Sequence, residues 1–393
     1  MKKRAQVGIV GAGPAGLMLS HLLHLAGISS IVVESRSRSY CESRVRAGLM
    51  ENWAAEMLIA TGAGERLKRE AMIHEGIHLA FNGEAHKIDF AKLIDRRVYV
   101  YDQKEVVTDL IAKRLGDGGE VIFEVENTSV HDYQAGDRPV IRFTQQGQQH
   151  EIECDFIAGC DGFHGICRAS LPEATWREYD RVYPFGWLGI LSESPPPDHE
   201  LIYSFHKNGF SLFSMRGPEL SRLYLQCDPD EDAEEWSDED IWNELETRLQ
   251  GVRPLKRGRI LQKGVTQMRS FVCEPMRFGR LFLAGDAAHI VPPTGAKGMN
   301  LALADVRVLS QALDAFYQKK NEDLLDAYSA TALRRVWKGQ RFSWWMTQML
   351  HRYHQGEYAE FDMKRQLAEL DYVTSSTAAS TSLAENYVGL PIA

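Results

Sequence analysis

Gly11-Ala12-Gly13-Pro14-Ala15-Gly16 has the spacing G-x-G-x-x-G, which suits a chain that must cradle a pyrophosphate. The first two glycines allow a tight turn and close backbone approach, the third lets helix and strand pack, and the N–H groups at the helix start attract the anion. Gly11, Gly13, Ala15 and Gly16 are therefore candidate cofactor-binding positions. Glu34 stands 18 residues beyond Gly16, where an acid at a strand end can bind a ribose hydroxyl pair. The pattern points to a dinucleotide and does not by itself separate NAD from FAD.

A second set of residues lies in Leu212-Phe213-Ser214-Met215-Arg216. A strand's period of two puts Leu212, Ser214 and Arg216 on one face, as it does Leu201 with Tyr203 and Arg222 with Tyr224. An arginine on a partly apolar face needs an anionic partner, and two kinds fit. One is a bound carboxylate, which matches the guanidinium fork; the other is an acid of the protein itself.

The elements that must hold these residues follow from periodicity and turn signals. Residues 7–10, 17–26 and 30–34 read as strand, helix, strand around the glycine turn, a βαβ unit. Alternation over 77–81 and 88–90 flanks Asn82-Gly83, the preferred pair for a tight hairpin. Residues 103–115 read as a helix stopped by glycines, with strands following through Ile157. From Gly186 to Cys227 the segments become short, aromatic and alternating, which suggests an antiparallel sheet. Long helices are expected at 295–317 and 323–351. The fold class is α/β: a Rossmann-like domain at 1–180 with a hairpin insertion near 75–100, an antiparallel substrate domain at 181–280, and a helical region at 281–393. The acidic run 228–240 is expected as a solvated loop or helix N-terminus.

Composition narrows the partners. A chain of 393 residues with 44% apolar content can bury at least two cores. Its net charge of −9 disfavours a nucleic-acid partner. No window reaches the ~18 to 20 apolar residues that span a bilayer, and the basic start before residue 7 runs into a glycine turn rather than a cleavage site. Six cysteines without Cys-x-x-Cys spacing suggest reduced thiols in a cytoplasm and no metal site.

Two later segments carry a resemblance. Ile157-Ala158-Gly159-Cys160-Asp161-Gly162, followed by Arg168, resembles the Asp-Gly motif of the class A flavoprotein aromatic hydroxylases. Arg280-Leu281-Phe282-Leu283-Ala284-Gly285-Asp286-Ala287-Ala288-His289 resembles that family's second FAD fingerprint. Segments 181–189, 292–298, 341–347 and 385–391 extend the likeness nearly end to end.

The resemblance implies FAD as cofactor, NADPH as co-substrate with NADH as the alternative, and a homodimer. The implied reaction takes 4-hydroxybenzoate and O2 to 3,4-dihydroxybenzoate and water through a flavin hydroperoxide. A related phenolic acid such as 3-hydroxybenzoate, or a flavin-binding protein without turnover, are the rival readings. By resemblance Arg216, Ser214 and Tyr224 hold the substrate carboxylate, beside Leu201, Leu212 and Thr294. Tyr203 meets the substrate phenol, Tyr387 continues a proton relay toward His74, and Pro293 aims its carbonyl at the substrate hydroxyl. Arg44, Arg46, Gln103, Asp161 and Asp286 flank FAD, while Lys297, Gly298 and Asn300 stand at a helix start beside the flavin. Arg36, Arg38 and Tyr40 are candidates for a coenzyme 2′-phosphate, with Arg46, His164, Arg168 and Arg269 near its pyrophosphate. Core packing for the tyrosines, a surface or packing position for His74 and a solvated basic loop at 36–40 are the alternatives.

Overall fold

The structure is a computed structural model that describes residues 2–391 except 45, 47, 135–137, 174, 354 and 355. Val7–Val10 is buried throughout and lies inside a six-stranded sheet, parallel to Ser30–Val33 on one side and Phe156–Gly159 on the other. Leu281–Leu283 and Glu120–Ile122 extend it in parallel, and Arg277–Phe278 closes one edge antiparallel. Strands buried on both faces need continuous apolar runs, and VGIV, SIVV, FIAG and LFL supply them. The crossover from the first of these strands to the second is the helix Pro14–Leu25.

The second large sheet has eight strands, ordered His289–Ile290, Arg259–Glu274, Arg177–Glu193, Leu220–Cys227, Ser211–Gly217, Leu201–Ser204, Gly76–Phe81 and Glu84–Asp89. The Asn82-Gly83 hairpin forms, with both residues at positive φ. It joins this sheet rather than the six-stranded one, because Gly76–Phe81 pairs in parallel with Leu201–Ser204, setting Leu79 opposite Tyr203. One sheet face packs Phe213, Leu223 and Leu225 against Ile241, Trp242 and Leu245 of the helix Asp238–Leu249. The acidic run ends in that helix, whose first turn carries Asp238, Glu239 and Asp240 behind a Ser237 cap. Acids there favour the helix dipole.

The opposite face carries Tyr203, Leu212 and Tyr224 toward Phe342 and Tyr387 of the C-terminal helices. Those helices are Asp323–Leu350, Ala359–Ser375 and Thr377–Val388, preceded by Gly298–Lys319. Among the described residues no helix is long and apolar enough to cross a membrane.

Candidate active site

The glycine turn separates its three glycines by what each faces. Gly11 has φ +105°, and a Cβ there would lie 2.3 Å from the Cys160 carbonyl oxygen; one at Gly16 would lie 2.0 Å from the Gly11 carbonyl oxygen. Both are demanded by the fold. A Cβ at Gly13 would meet no protein atom within 4 Å, so this bare backbone answers to something other than internal packing. Gly13 also begins the helix Pro14–Leu25 without any side-chain cap, leaving its first N–H groups for an anion. Glu34 Oε2 accepts from the Ala12 N–H at 2.7 Å and Oε1 from the Arg36 N–H at 2.8 Å. The acid is thereby fixed beside the turn. A dinucleotide fits this cradle.

The other cofactor candidates differ in how the chain uses them. Asp161 Oδ2 accepts from the Cys167 N–H at 2.8 Å, while Oδ1 is buried without a hydrogen bond and burial raises the carboxyl's pKa. Asp286 is reachable by solvent yet crowded by surrounding chain. That crowding raises its pKa against the opposing charges of His289, Arg46 and Arg44. Ala15 is buried in the helix, and Gln103 opens the helix Gln103–Gly116.

Across the eight-stranded sheet, Tyr203 stands opposite Leu212, Leu212 opposite Tyr224, and Ser214 opposite Arg222. The period of two thus holds in three dimensions. Gly189, opposite Tyr224, leaves the space: a Cβ there would lie 2.8 Å from an Arg222 nitrogen and 3.3 Å from the Tyr224 ring. Ser214 Oγ donates to the Arg222 carbonyl at 2.7 Å, and Arg222 Nε donates to Tyr224 Oη at 3.3 Å. Leu201 and Leu212 are buried beside them. Arg216 has an acid of the protein against it, with Nε 2.5 Å from Asp102 Oδ1.

Tyr203 and Tyr387 meet hydroxyl to hydroxyl at 2.6 Å, both fully buried. Burial raises the pKa of both, so both stay protonated near neutrality. His74 makes no direct hydrogen bond to either tyrosine; it is buried, with Nε2 3.2 Å from Met215 Sδ and Nδ1 without a protein partner. Burial pushes its pKa down to about 4.

At the start of Gly298–Lys319, Lys297 Nζ donates to Glu51 Oε1 at 2.6 Å and to the Tyr387 carbonyl at 2.8 Å. Asn300 donates to the Leu49 carbonyl at 3.0 Å and accepts from the Glu51 N–H at 2.9 Å. A Cβ at Gly298 would meet nothing within 4 Å. Thr294 is buried against Thr347, and the exposed Pro293 lends its carbonyl to the Ala296 N–H at 2.9 Å.

The nicotinamide candidates form two groups. Arg168 and Arg269 both lie 4.7 Å over the Phe163 ring, whose edge also meets His164. Arg168 donates to the Ala287 and Phe163 carbonyls and Arg269 faces Asp180 at 3.4 Å. In the other group Arg36 lies over the Tyr40 ring, and Arg38 pairs with Glu42 at 2.7 Å.

Sequence reasoning did not single out Glu51, Asp102 or the role of Arg222. Glu51 also accepts from Arg335 at 2.6 Å, making one buried carboxylate between two cations. Nothing in the spacing of Leu49-Met50-Glu51 signals this, since its partners lie 246 and 284 positions away. Arg222 was legible only as a strand-face residue.

The family described as FAD binding domain matches residues 4–343. The chain is 47% identical to the p-hydroxybenzoate hydroxylase of Acinetobacter baylyi over 391 residues, 99% of this chain and 96% of that protein. It is 25% identical to a probable NADH-specific resorcinol 4-hydroxylase of Rhodococcus jostii, over 84% of this chain and 62% of that protein. Its fold matches the crystal structure of p-nitrophenol 4-monooxygenase PnpA from Pseudomonas putida with a TM-score of 0.80 at 19% identity, across 100% of both chains.

Proposed function

This chain belongs to the FAD binding domain family, and we propose that it hydroxylates 4-hydroxybenzoate to 3,4-dihydroxybenzoate. NAD(P)H, O2 and one proton are consumed, and NAD(P)+ and water form. The observation that carries the substrate is the sheet face whose cross-strand row of Tyr203, Leu212 and Tyr224 adjoins a row of Ser214 and Arg222, with Arg216 one step beyond Ser214 on the same strand. Two residues along a strand advance about 6.6 Å, comparable to the span of a para-hydroxybenzoate from carboxylate to phenol oxygen. Such a face offers charge and hydroxyls to one end of the ring and a tyrosine pair to the other. Identity of 47% to the Acinetobacter hydroxylase along almost the whole chain supports the same assignment.

Bound FAD, reduced by the nicotinamide coenzyme, supplies activated oxygen for transfer to the ring. The chain's residues make the ring receptive and hold it. Arg216, Ser214 and Tyr224 bind the carboxylate; Leu201 and Leu212 exclude water from the ring. Tyr203 takes the phenolic proton of the substrate as it gives its own to Tyr387, and Tyr387 gives one on toward His74 and solvent, so that one proton leaves the pair for each phenolate formed. Since burial keeps both tyrosines protonated, the relay exchanges O–H protons and does not store charge on either ring. Lys297, which donates to the Tyr387 carbonyl, and Arg335 share the single carboxylate of Glu51, and this positive bias favours a phenolate substrate, which is richer in electrons than the phenol.

Gly11, Gly13, Gly16, Glu34, Asp161 and Asp286 are assigned to FAD. The Arg168, Arg269, His164 cluster is assigned to the coenzyme pyrophosphate, and Arg36, Arg38 and Tyr40 to a 2′-phosphate, with NADPH favoured. Exposed Tyr358, at the N-cap of the helix Ala359–Ser375, with Phe361 and Tyr372 on that helix, supports a homodimer. Six free thiols support a cytoplasmic setting.

The test is incubation of purified protein with NADPH, O2 and each hydroxybenzoate isomer, with products identified by mass and chromatography. 3,4-Dihydroxybenzoate formed from the 4-isomer is expected. Faster turnover of the 3-isomer would overturn the substrate assignment.

A further inference from the structure

Arg216 is assigned above to a substrate carboxylate, yet the chain already brings it one. The Asp102 and Arg216 side chains are 13% and 7% exposed, with Oδ1 and Nε 2.5 Å apart. The contact is close and badly aimed: neither atom has a partner in hydrogen-bond geometry. The directed bond of the guanidinium runs instead from Nη1 to the Met215 carbonyl at 2.7 Å. A buried ion pair kept for structure is ordinarily bidentate and satisfied. This one holds charge against charge and leaves hydrogen-bonding capacity on both sides unused.

The backbone explains why the carboxylate is there. Asp102 is the N-cap of Gln103–Gly116, where an aspartate ordinarily accepts from its own helix, but it makes no such bond. The main chain at 102 is pressed on Gly48, where a Cβ would lie 2.5 Å from the Asp102 Cα, and Tyr101 N–H donates to the Gly48 carbonyl at 2.7 Å. With the backbone pinned, rotation of the side chain is the available motion. The charged groups around the carboxylate are Arg216, Lys104, Glu105 and Arg222. Burial raises its pKa, which weakens its hold as an anion.

We propose that Asp102 is a specificity-determining residue: an internal carboxylate that competes with the aromatic acid for the Arg216 guanidinium and must turn away for the acid to bind. This rests on the assignment of Arg216 to the substrate carboxylate. A site competent for only a fraction of the time binds more weakly by that fraction. Removing the competitor therefore strengthens binding of the acid and does nothing for a ring without the charge.

The experiment measures Kd by calorimetry on the holoenzyme for 4-hydroxybenzoate and for its neutral amide, 4-hydroxybenzamide. The variants are Asp102→Asn and Asp102→Ser, both good N-cap residues, with retained flavin absorbance as the folding check. In a variant that keeps its flavin, 4-hydroxybenzoate is expected to bind about fivefold or more tightly, ~1 kcal/mol, with the amide within twofold of the parent. Unchanged or weaker binding of the acid overturns the proposal and makes Asp102 a support for Arg216, as does equal tightening of acid and amide. Loss of flavin from both variants also overturns it, since Asp102 is then required for the fold. Arg216→Ala separates the two claims: if it leaves acid binding unchanged, the carboxylate assignment fails; if binding drops while the Asp102 variants do not tighten it, only the competition fails.

Discussion

The hydroxyl oxygens of Tyr203 and Tyr387 stand 2.6 Å apart, across 184 positions of chain. The first belongs to a strand of the eight-stranded sheet and the second to the last helix of the chain, Thr377–Val388. Their meeting makes a hydroxyl pair that neither element contains alone, the pair proposed above as a proton path. Breaking it at Tyr203 leaves the ring packing in place. Tyr203→Phe is expected to keep substrate-stimulated NADPH oxidation and lose product. The measurement is product formed per NADPH consumed; an unchanged ratio would return Tyr203 to packing.

Arg216→Ala should weaken 4-hydroxybenzoate binding about 30-fold or more, since truncating one side of a buried charge pair costs roughly 2 to 5 kcal/mol. Equilibrium titration of the holoenzyme checks this. A change below threefold would place the carboxylate elsewhere.

The glycine turn predicts a contrast between two substitutions. Gly13→Val adds atoms where the protein has none within 4 Å, at φ −80°, a value open to any residue. Its apoprotein is expected to keep its thermal stability while FAD fails to copurify. Gly16→Ala drives a Cβ to 2.0 Å from the Gly11 carbonyl and is expected to lose stability along with flavin. Equal melting temperatures for the two variants would contradict the division.

His74 carries a pH dependence of definite sign. Its folded pKa, about 4, lies below the ordinary 6.5, so between those values the unfolded chain binds more protons. The stability this residue contributes is full above about pH 6.5 and is lost as pH falls toward 4. By pH 5 the loss is about 2 kcal/mol. Urea unfolding at pH 7.5 and pH 5 should show a smaller drop in His74→Asn than in the parent; equal drops would mean that His74 titrates normally.

For the coenzyme, the parent is expected to show higher kcat/KM with NADPH than with NADH at saturating 4-hydroxybenzoate, and Arg36→Ser with Arg38→Ser is expected to narrow the ratio. Each arginine is held at the surface by a weak local contact, Arg36 by Tyr40 and Arg38 by Glu42, that a 2′-phosphate could replace. A parent that prefers NADH, or a ratio untouched by the double change, removes this segment from the coenzyme site.

Much of this molecule was legible from residue order because its signals are local. A glycine spacing, an apolar run of four and an Asn-Gly pair each act within one or two turns of chain, so the βαβ unit, the hairpin and the long helices follow from short-range sterics and periodicity. Strand period likewise sorted Leu212, Ser214 and Arg216 from Phe213 and Met215. What it left open was the partner of Arg216, a protein acid or a bound carboxylate, because a lone arginine on a strand states a need without stating who meets it. Only the tertiary structure brought Asp102 to that guanidinium, joined the hairpin 76–89 to the strand of Tyr203, set His74 on Met215 and buried Glu51 between Lys297 and Arg335. Those contacts each span more than a hundred positions and depend on how sheets and helices pack. Pairing of buried charges is a property of the assembled interior, where low polarity makes each partner matter, and no window of sequence contains it.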